Sequence, residues 1–148
     1  MQHSQKKSLF PEGMTGAEKV AAFLSQARVF DVATSVDGQP KVRPFSYFIY
    51  NEQEDRIIFS TGKFKNVYKQ LLANPKIEIF ARVGMTFMRY DGIAKTFDDQ
   101  KIVEKVWNDS PGIGKIYREN GWEGGLFYLE NGHVEIRESL YPVEEFDV

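Results

Sequence analysis

The segment formed by residues 56–77, RIIFSTGKFKNVYKQLLANPKI, constrains the fold most, because its hydrophobic pattern changes in the middle. Residues 56–60 are rich in strand-forming side chains, and a short polar break at residues 61–63 follows them. Residues 64–73 then place five apolar side chains at helical spacing on one face: Phe64, Val67, Tyr68, Leu71 and Leu72. The segment therefore predicts a strand, a short turn and a helix in direct succession.

The same segment is basic although the whole chain is not. It contains five Lys or Arg residues and no Asp or Glu, whereas the chain has a formal net charge of -2. A helix N-terminus carries partial positive charge and unpaired N–H groups, and it therefore favours acidic neighbours. Here Lys63 and Lys65 stand at that position. Two interpretations stay open: a bound phosphate supplies the negative charge, or both lysines are solvated and tertiary packing stabilises the helix.

Length and composition narrow the classes of function. A chain of 148 residues is typical of a single domain, here 1–148, and can bury a core without cross-links. The absence of cysteine excludes thiol catalysis and cysteine-ligated metals. The two histidines, His3 and His133, are far apart in sequence, so neither a histidine metal site nor a Ser-His-Asp triad is expected. The sequence predicts no metal site and no catalytic acid or base.

Composition also restricts localisation and macromolecular partners. No run of about 18 apolar residues is present, which argues against a membrane-spanning helix. Residues 1–13 lack the apolar centre of a signal peptide, so we expect a cytoplasmic protein with a loose N-terminal arm. The small net charge argues against general nucleic-acid binding. The aromatic content of 14% suits strands and pockets for flat ligands.

The residues before the basic segment predict a helix and a hairpin. Thr15 and Glu18 have the spacing of a capping box, which starts an amphipathic helix that covers a sheet. Residues 29–36 and 41–50 predict two strands, and Asp37-Gly38 is a strong signal for a short turn between them. The proline inside the second strand removes a ladder donor, so this strand belongs at a sheet edge or contains a bulge.

The residues after the basic segment predict further strands and two short helices. The predicted elements are strands at 76–83 and 85–97, helices at 98–107 and 113–119, and strands at 126–130 and 133–139. Asn131-Gly132 is the strongest hairpin signal in the chain, and the acidic tail is expected to lie on the surface. About seven strands with three or four short helices predict a mainly β (α+β) fold, an antiparallel barrel or closed sheet with covering helices.

Two stretches give the chain a family resemblance: VATSVDGQPKVRPFSYFIY and RIIFSTGKFKNVYKQLLANPKIEIFA, within about residues 29–81. Their order, a hairpin with Arg-Pro, then Phe-Ser-Thr and a lysine-bearing helix, resembles the pyridoxamine 5′-phosphate oxidase-like flavoproteins, and in particular their short bacterial members. The resemblance implies an antiparallel split β-barrel of Greek-key type. It also implies a homodimer with FMN bound at the subunit interface.

The resemblance implies nine FMN contacts. They are Arg43, Pro44, Phe45 and Ser46 along the flavin ring, Ser60 and Thr61 at the ring edge or ribityl chain, and Lys63, Lys65 and Asn66 around the phosphate. Each residue type also has an ordinary structural role. Arg43 could be a surface cation, Phe45 a core residue, and Ser60 and Thr61 helix caps.

The expected activity is FMN-dependent oxidation or reduction of a small molecule, with a nicotinamide electron donor. His133 and Arg137 do not have the spacing of the pair that grips pyridoxal phosphate in the family's best-known enzyme, so vitamin B6 oxidation is not expected. Alternatives are a flavin carrier or redox sensor without turnover, or a barrel that binds the deazaflavin F420 or haem. Trp107 and Trp122 are expected on or near loops, either packing an interface or covering a partner's flavin.

Overall fold

The computed structural model describes residues 8–148. It contains four helices and eight strands in this order: α1 Gly16–Ala27, β1 Phe30–Val36, β2 Gln39–Phe45, β3 Phe48–Asn51, β4 Arg56–Gly62, α2 Asn66–Ala73, β5 Lys76–Val83, β6 Thr86–Phe97, α3 Gln100–Asp109, α4 Pro111–Asn120, β7 Gly124–Glu138 and β8 Tyr141–Asp147. Among these residues no helix is both long and apolar enough to cross a membrane. Residues 1–7 of the predicted arm lie outside the described part. Within the rest of the arm, Phe10 packs against the core and the Ser8 hydroxyl donates to Glu144.

All strands belong to one antiparallel sheet with the order β2-β1-β5-β6-β7-β4-β3. The 15-residue strand β7 pairs with β6 on one side, while its two halves pair with β4 and β8 on the other. The two end strands, β2 and β3, are consecutive in the chain and do not pair, so the sheet curls without closing. This confirms the predicted antiparallel split barrel with short flanking helices.

The end of β2 is where the predicted strand 41–50 proves wrong. The structure divides it at Ser46 and Tyr47, which carry the chain from one end of the sheet to the other. Pro44 lies just before this division, on an edge strand, where its missing N–H leaves no central ladder incomplete. The hairpin between β1 and β2 is confirmed. Asp37 and Gly38 both have positive φ, as a two-residue turn of this kind requires.

The core lies inside the curled sheet, and helix α1 covers one of its openings. Phe30, Phe59 and Phe127 are fully buried there, and the rings of Phe59 and Phe127 stack with centroids 5.3 Å apart. The predicted capping box is present, because the Thr15 side chain accepts from the backbone of Glu18 and the reciprocal bond also forms. The hydrophobic face of α1 is thereby directed into the core.

The predicted hairpin at Asn131-Gly132 is also wrong. Strand β7 runs straight through these residues, and Asn131 takes a positive φ of 52° at a register shift between Asp91 and Ile93 of β6. The dipeptide forms a bulge because β7 pairs with neighbouring strands on both sides of it. Asparagine tolerates positive φ, which a β-bulge can require just as a turn does. Gly132 also exchanges two backbone hydrogen bonds with Val148. The acidic tail is therefore an eighth strand and not only a surface segment.

We expect His133 to stay protonated well above neutral pH. Its ring lies within hydrogen-bond distance of Asp147 Oδ1, at 2.8 Å, and Glu145 Oε1, at 2.6 Å, on the neighbouring strand β8. These hydrogen bonds, that to Asp147 first, raise the His133 pKa from 6.5 to about 9. Since the folded pKa is the higher one, the stabilising contribution is complete below pH 6.5 and is lost as the pH rises through about 9.

An NMR titration of the His133 ring measures this pKa directly. The His133→Gln variant is the control, because its free energy of unfolding should lack the decline that the native protein shows in the same pH window. The side chains of His133, Glu145 and Asp147 are 41%, 66% and 90% exposed, so the decline is expected to be small and to weaken with added salt. A measured pKa close to 6.5 would show that the two carboxylates do not hold the ring in solution.

Candidate cofactor site

A cavity of about 270 Å³ opens where the barrel is split. Strands β2 and β4, the start of α2 and the helices α3 and α4 surround it. Seven of the nine residues implied as FMN contacts line it: Arg43, Pro44, Phe45, Ser46, Ser60, Thr61 and Lys65. The structure therefore brings together side chains from three separate stretches of sequence. Among the described residues no cluster of His, Asp or Glu could hold a metal ion.

The topology explains why these stretches meet. Residues 43–46 form the end of β2 and the crossing to β3, while Ser60 and Thr61 lie near the end of β4. Strand β3 pairs with β4, so the crossing segment is carried back beside the exit of β4. Strand β4 then leads through a short loop to Lys65, the residue before α2. Residues from 43–46 and from 60–65 therefore line the same cavity at one edge of the split.

The start of α2 has the features of an anion-binding site. Lys65 is its N-cap residue, makes no side-chain capping bond, and no acidic residue lies in the first turn. The N–H groups of a first helical turn have no partner within the helix. Within residues 8–148 the Lys65 ammonium group has no hydrogen-bond or ion-pair partner. A phosphate in the cavity would satisfy both the N–H groups and the lysine charge.

The remaining two predicted contacts, Lys63 and Asn66, do not line the cavity. The Lys63 ammonium group donates to Asp98 at 2.7 Å and lies 3.7 Å from Glu123. The hydrogen bond to Asp98 is the main cause of its raised pKa. Strand β4 continues to Gly62, so the break predicted at residues 61–63 comes later, and Lys63 is tied to the loop before β7. For this lysine the chain itself supplies the negative charge.

Arg43 is held in place by the protein and is not a free surface cation. One terminal nitrogen donates to Thr34 Oγ1 at 2.8 Å and to the carbonyl oxygen of Val32 at 3.1 Å. The other donates to Gln70 of helix α2. Burial lowers the Arg43 pKa, although a guanidinium remains charged at any ordinary pH. The cavity therefore has a second positive charge, and its orientation is fixed before any ligand arrives.

Five hydroxyl groups of the polar lining have no hydrogen-bond partner among residues 8–148. They belong to Ser46, Ser60, Thr61, Ser110 and Tyr117. Thr61 is only 7% exposed, yet its hydroxyl remains accessible, because no buried side-chain oxygen of the described residues lacks a hydrogen-bond partner. None of these hydroxyls makes a helix-capping hydrogen bond at α2 or α4. Polar groups that converge on a pocket with apolar and aromatic walls are typical of a site for a flat organic ligand.

Sequence reasoning missed the part of the lining that comes from α3 and α4. Trp107 was expected on or near a loop, but it lies within α3 and is 8% exposed. Trp122 follows α4 and stacks on Phe64, with ring centroids 4.3 Å apart. The amphipathic pattern of both helices indicates an apolar face. It does not indicate which part of the barrel that face covers.

These features define a split β-barrel protein with a cationic, hydroxyl-rich cavity at the split. The sequence profile described as pyridoxamine 5′-phosphate oxidase matches residues 17–118, more than half of the chain. The chain therefore belongs to the pyridoxamine 5′-phosphate oxidase family. No curated protein sequence matches it.

Solved structures agree with this assignment. A NimC/NimA family protein from Clostridium acetobutylicum is 25% identical, with a TM-score of 0.78 over 90% of this chain and 94% of that one. A putative pyridoxamine 5′-phosphate oxidase from Listeria innocua is 16% identical, with a TM-score of 0.57 over 89% and 97% of the two chains. A heme-binding protein from Mycobacterium smegmatis is 13% identical, with a TM-score of 0.61 over 91% and 58%. The last two show a shared fold alone.

Proposed function

We propose that this protein is an FMN-dependent oxidoreductase that acts on a small molecule with electrons from a nicotinamide donor. The observation that carries the proposal is the convergence of seven implied FMN contacts on one cavity that adjoins the start of α2. That arrangement supplies unpaired N–H groups, one unpartnered lysine and one fixed arginine. The N–H groups and the lysine suit the phosphate of a flavin mononucleotide, and the arginine suits its ring.

The lining residues divide naturally between the parts of FMN. Lys65 and the first N–H groups of α2 would bind the phosphate. The hydroxyls of Ser60 and Thr61 would pair with the ribityl chain or the polar ring edge, and Phe45 would provide an apolar surface. FMN, when bound, supplies the hydride chemistry. Arg43 would stabilise the negative charge that a flavin ring gains on reduction, because its guanidinium group is already oriented.

The reaction needs no acidic or basic side chain. A nicotinamide donor gives up a hydride, the acceptor gains two electrons and one proton from it, and water supplies the second proton. The chain's own part is to bind, to orient and to exclude water. A flavin carrier or redox sensor would use the same cavity without turnover. Only a turnover measurement separates these two functions.

The charge and donor set of the cavity favour FMN over haem or F420. One relative by fold is a heme-binding protein, but among residues 8–148 the sole histidine, His133, is bonded to Glu145 and Asp147 and lies outside the cavity. Arg43 and Lys65 are the cations that line the cavity. Two cations suit a monophosphate better than the longer acidic tail of F420.

The test is a titration of the purified full-length protein with FMN, followed by a turnover assay. We expect saturable binding at micromolar FMN or tighter, with a shift of the flavin absorption bands. The FMN-loaded protein should then oxidise NADH or NADPH in the presence of ferricyanide, faster than free FMN at the same concentration. Binding without turnover would support the carrier or sensor. No FMN binding would contradict the proposal.

A further inference from the structure

A group of cavity residues is left unused by the FMN contacts proposed above. They come from α3, from α4 and from the residue between the two helices: Val106, Trp107, Ser110, Ile113 and Tyr117. We call this group the helical wall. It carries two aromatic rings, two aliphatic side chains and two hydroxyl groups, but no charge. Both cations of the cavity, Arg43 and Lys65, come from the barrel and α2 instead.

The helical wall is built on two helices in direct contact. A Cβ atom on Gly114 would lie 2.7 Å from Trp107 Cβ and 2.8 Å from Trp107 O, so α4 contacts the backbone of α3 directly. Arg118 of α4 also donates to Glu104 of α3 at 2.7 Å. Trp107 is thus held between its own helix and the next one. A surface that is ordered before binding loses little conformational entropy when a ligand arrives.

The helical wall is also fastened to the barrel at the split. The Tyr47 hydroxyl donates to Asp109 Oδ2, at the end of α3, over 2.7 Å. Tyr47 belongs to the segment that crosses from β2 to β3, and it lines the same cavity. The distance between the helical wall and the polar residues of β2 is therefore set by a direct bond.

Two hydroxyl groups of the helical wall are available to a ligand. Those of Ser110 and Tyr117 have no hydrogen-bond partner within residues 8–148. Burial raises the Tyr117 pKa, so the phenol keeps its proton and can donate a hydrogen bond. A ligand that carries an acceptor oxygen would pair with these groups. A purely hydrocarbon ligand would leave them unsatisfied.

We propose that the helical wall is the substrate subsite, and that it binds an uncharged planar aromatic molecule with a carbonyl or similar acceptor oxygen. The role as a substrate site rests on the proposed function, since FMN is assigned to the polar side of the cavity. A flat ring would pack against Ile113, which is 51% exposed, and against the uncovered edges of Trp107 and Tyr117, which are 8% and 6% exposed. A charged ligand would lose hydration against this uncharged surface without gaining a partner there. An anionic ligand would instead be drawn to Arg43 and Lys65.

The chain offers a fluorescent reporter for this subsite. It contains two tryptophans, Trp107 and Trp122, and only Trp107 lines the cavity. In a Trp122→Phe protein, excited where tyrosine does not absorb, the tryptophan emission therefore comes from the helical wall alone. We choose 2-methyl-1,4-naphthoquinone as the probe, because it is flat, uncharged and has two acceptor oxygens. We expect saturable quenching of Trp107 in FMN-free protein. The reciprocal Trp107→Phe protein should show weaker quenching, because Trp122 does not line the cavity and reaches it only through Tyr117, with ring centroids 5.8 Å apart.

Two substitutions in the Trp122→Phe background separate the subsite from the flavin site. Tyr117→Phe removes one hydroxyl and keeps the ring, so we expect it to weaken quinone binding about fivefold, the usual value of one hydrogen bond. It should leave FMN affinity unchanged. Lys65→Glu should do the reverse, weakening FMN binding at least about 100-fold and leaving quinone binding within twofold of the parent protein.

Each outcome of this experiment decides one question. Non-saturable quenching of Trp107, or equal quinone affinity with and without the Tyr117 hydroxyl, would overturn the subsite. An equal loss of FMN and quinone affinity in Tyr117→Phe would also overturn it, because the helical wall would then belong to the flavin site. Saturable quinone binding in a protein that ignores FMN would instead overturn the proposed function and leave the aromatic site standing.

Discussion

The Lys65→Glu protein is expected to bind FMN at least about 100-fold more weakly than the native protein. A hydrogen bond to a charged group contributes about 1.5–3 kcal/mol, and a like charge about 4 Å away costs about 1 kcal/mol even in water. The substitution incurs both losses, since it removes the ammonium group and places a carboxylate at the start of α2. A titration monitored by flavin absorption or fluorescence measures the change.

The same substitution should not harm the fold, which makes the test specific. Lys65 is exposed, and its ammonium group has no hydrogen-bond or ion-pair partner within residues 8–148. A negative charge beside a helix N-terminus is favourable, so the apo protein should unfold at the same temperature or slightly higher. Stability and FMN affinity are thus expected to move independently or in opposite directions. A general loss of structure would lower both together.

Lys76→Glu is the matched control. It makes the same change of net charge at an exposed position at the start of β5, outside the cavity. Its FMN affinity should stay within about twofold of the native value at moderate salt, because exposed charges beyond about 10 Å are screened. Equal FMN affinity in Lys65→Glu and Lys76→Glu would show that the start of α2 does not hold the phosphate.

Local sequence patterns predicted those parts of the fold whose structure is decided locally. The capping box at Thr15, the turn at Asp37-Gly38 and the strand-to-helix order after Arg56 depend on a few consecutive residues, and all three occur. The resemblance in residues 29–81 added the split barrel. The structure then placed seven of the nine implied contacts around one cavity, although their binding to FMN stays a prediction.

The errors arose where pairing over long distances decides the structure. Asn131-Gly132 has the composition of a turn, but β6 and β8 supply partners on both sides and make it a bulge in β7. Phe64 and Leu72 fit the helical spacing of α2, yet Phe64 precedes the helix and Leu72 is 60% exposed. The helical wall could not be located, because its position depends on how α3 and α4 pack on the barrel.

The largest expected loss of stability comes from Phe127→Ala. Phe127 is fully buried in β7, stacks on Phe59 and makes an edge contact with Phe45 at 6.1 Å between centroids. Removing a buried phenyl ring loses its transfer free energy and leaves a cavity, at a cost of about 3–5 kcal/mol. Urea denaturation should show this decrease in the free energy of unfolding, a large fraction of the roughly 5–15 kcal/mol of a typical domain.

Phe80→Ala gives the comparison at a partly exposed position. Phe80 lies on β5 with 37% of its surface exposed, so the same substitution should cost about 1 kcal/mol or less. A loss below about 1 kcal/mol in Phe127→Ala would mean that the core can repack around the missing ring. The Phe127→Ala protein should also bind FMN less tightly, because Phe45 packs against Phe127 and lines the cofactor cavity. One aromatic contact therefore couples the stability of the barrel to the shape of its site.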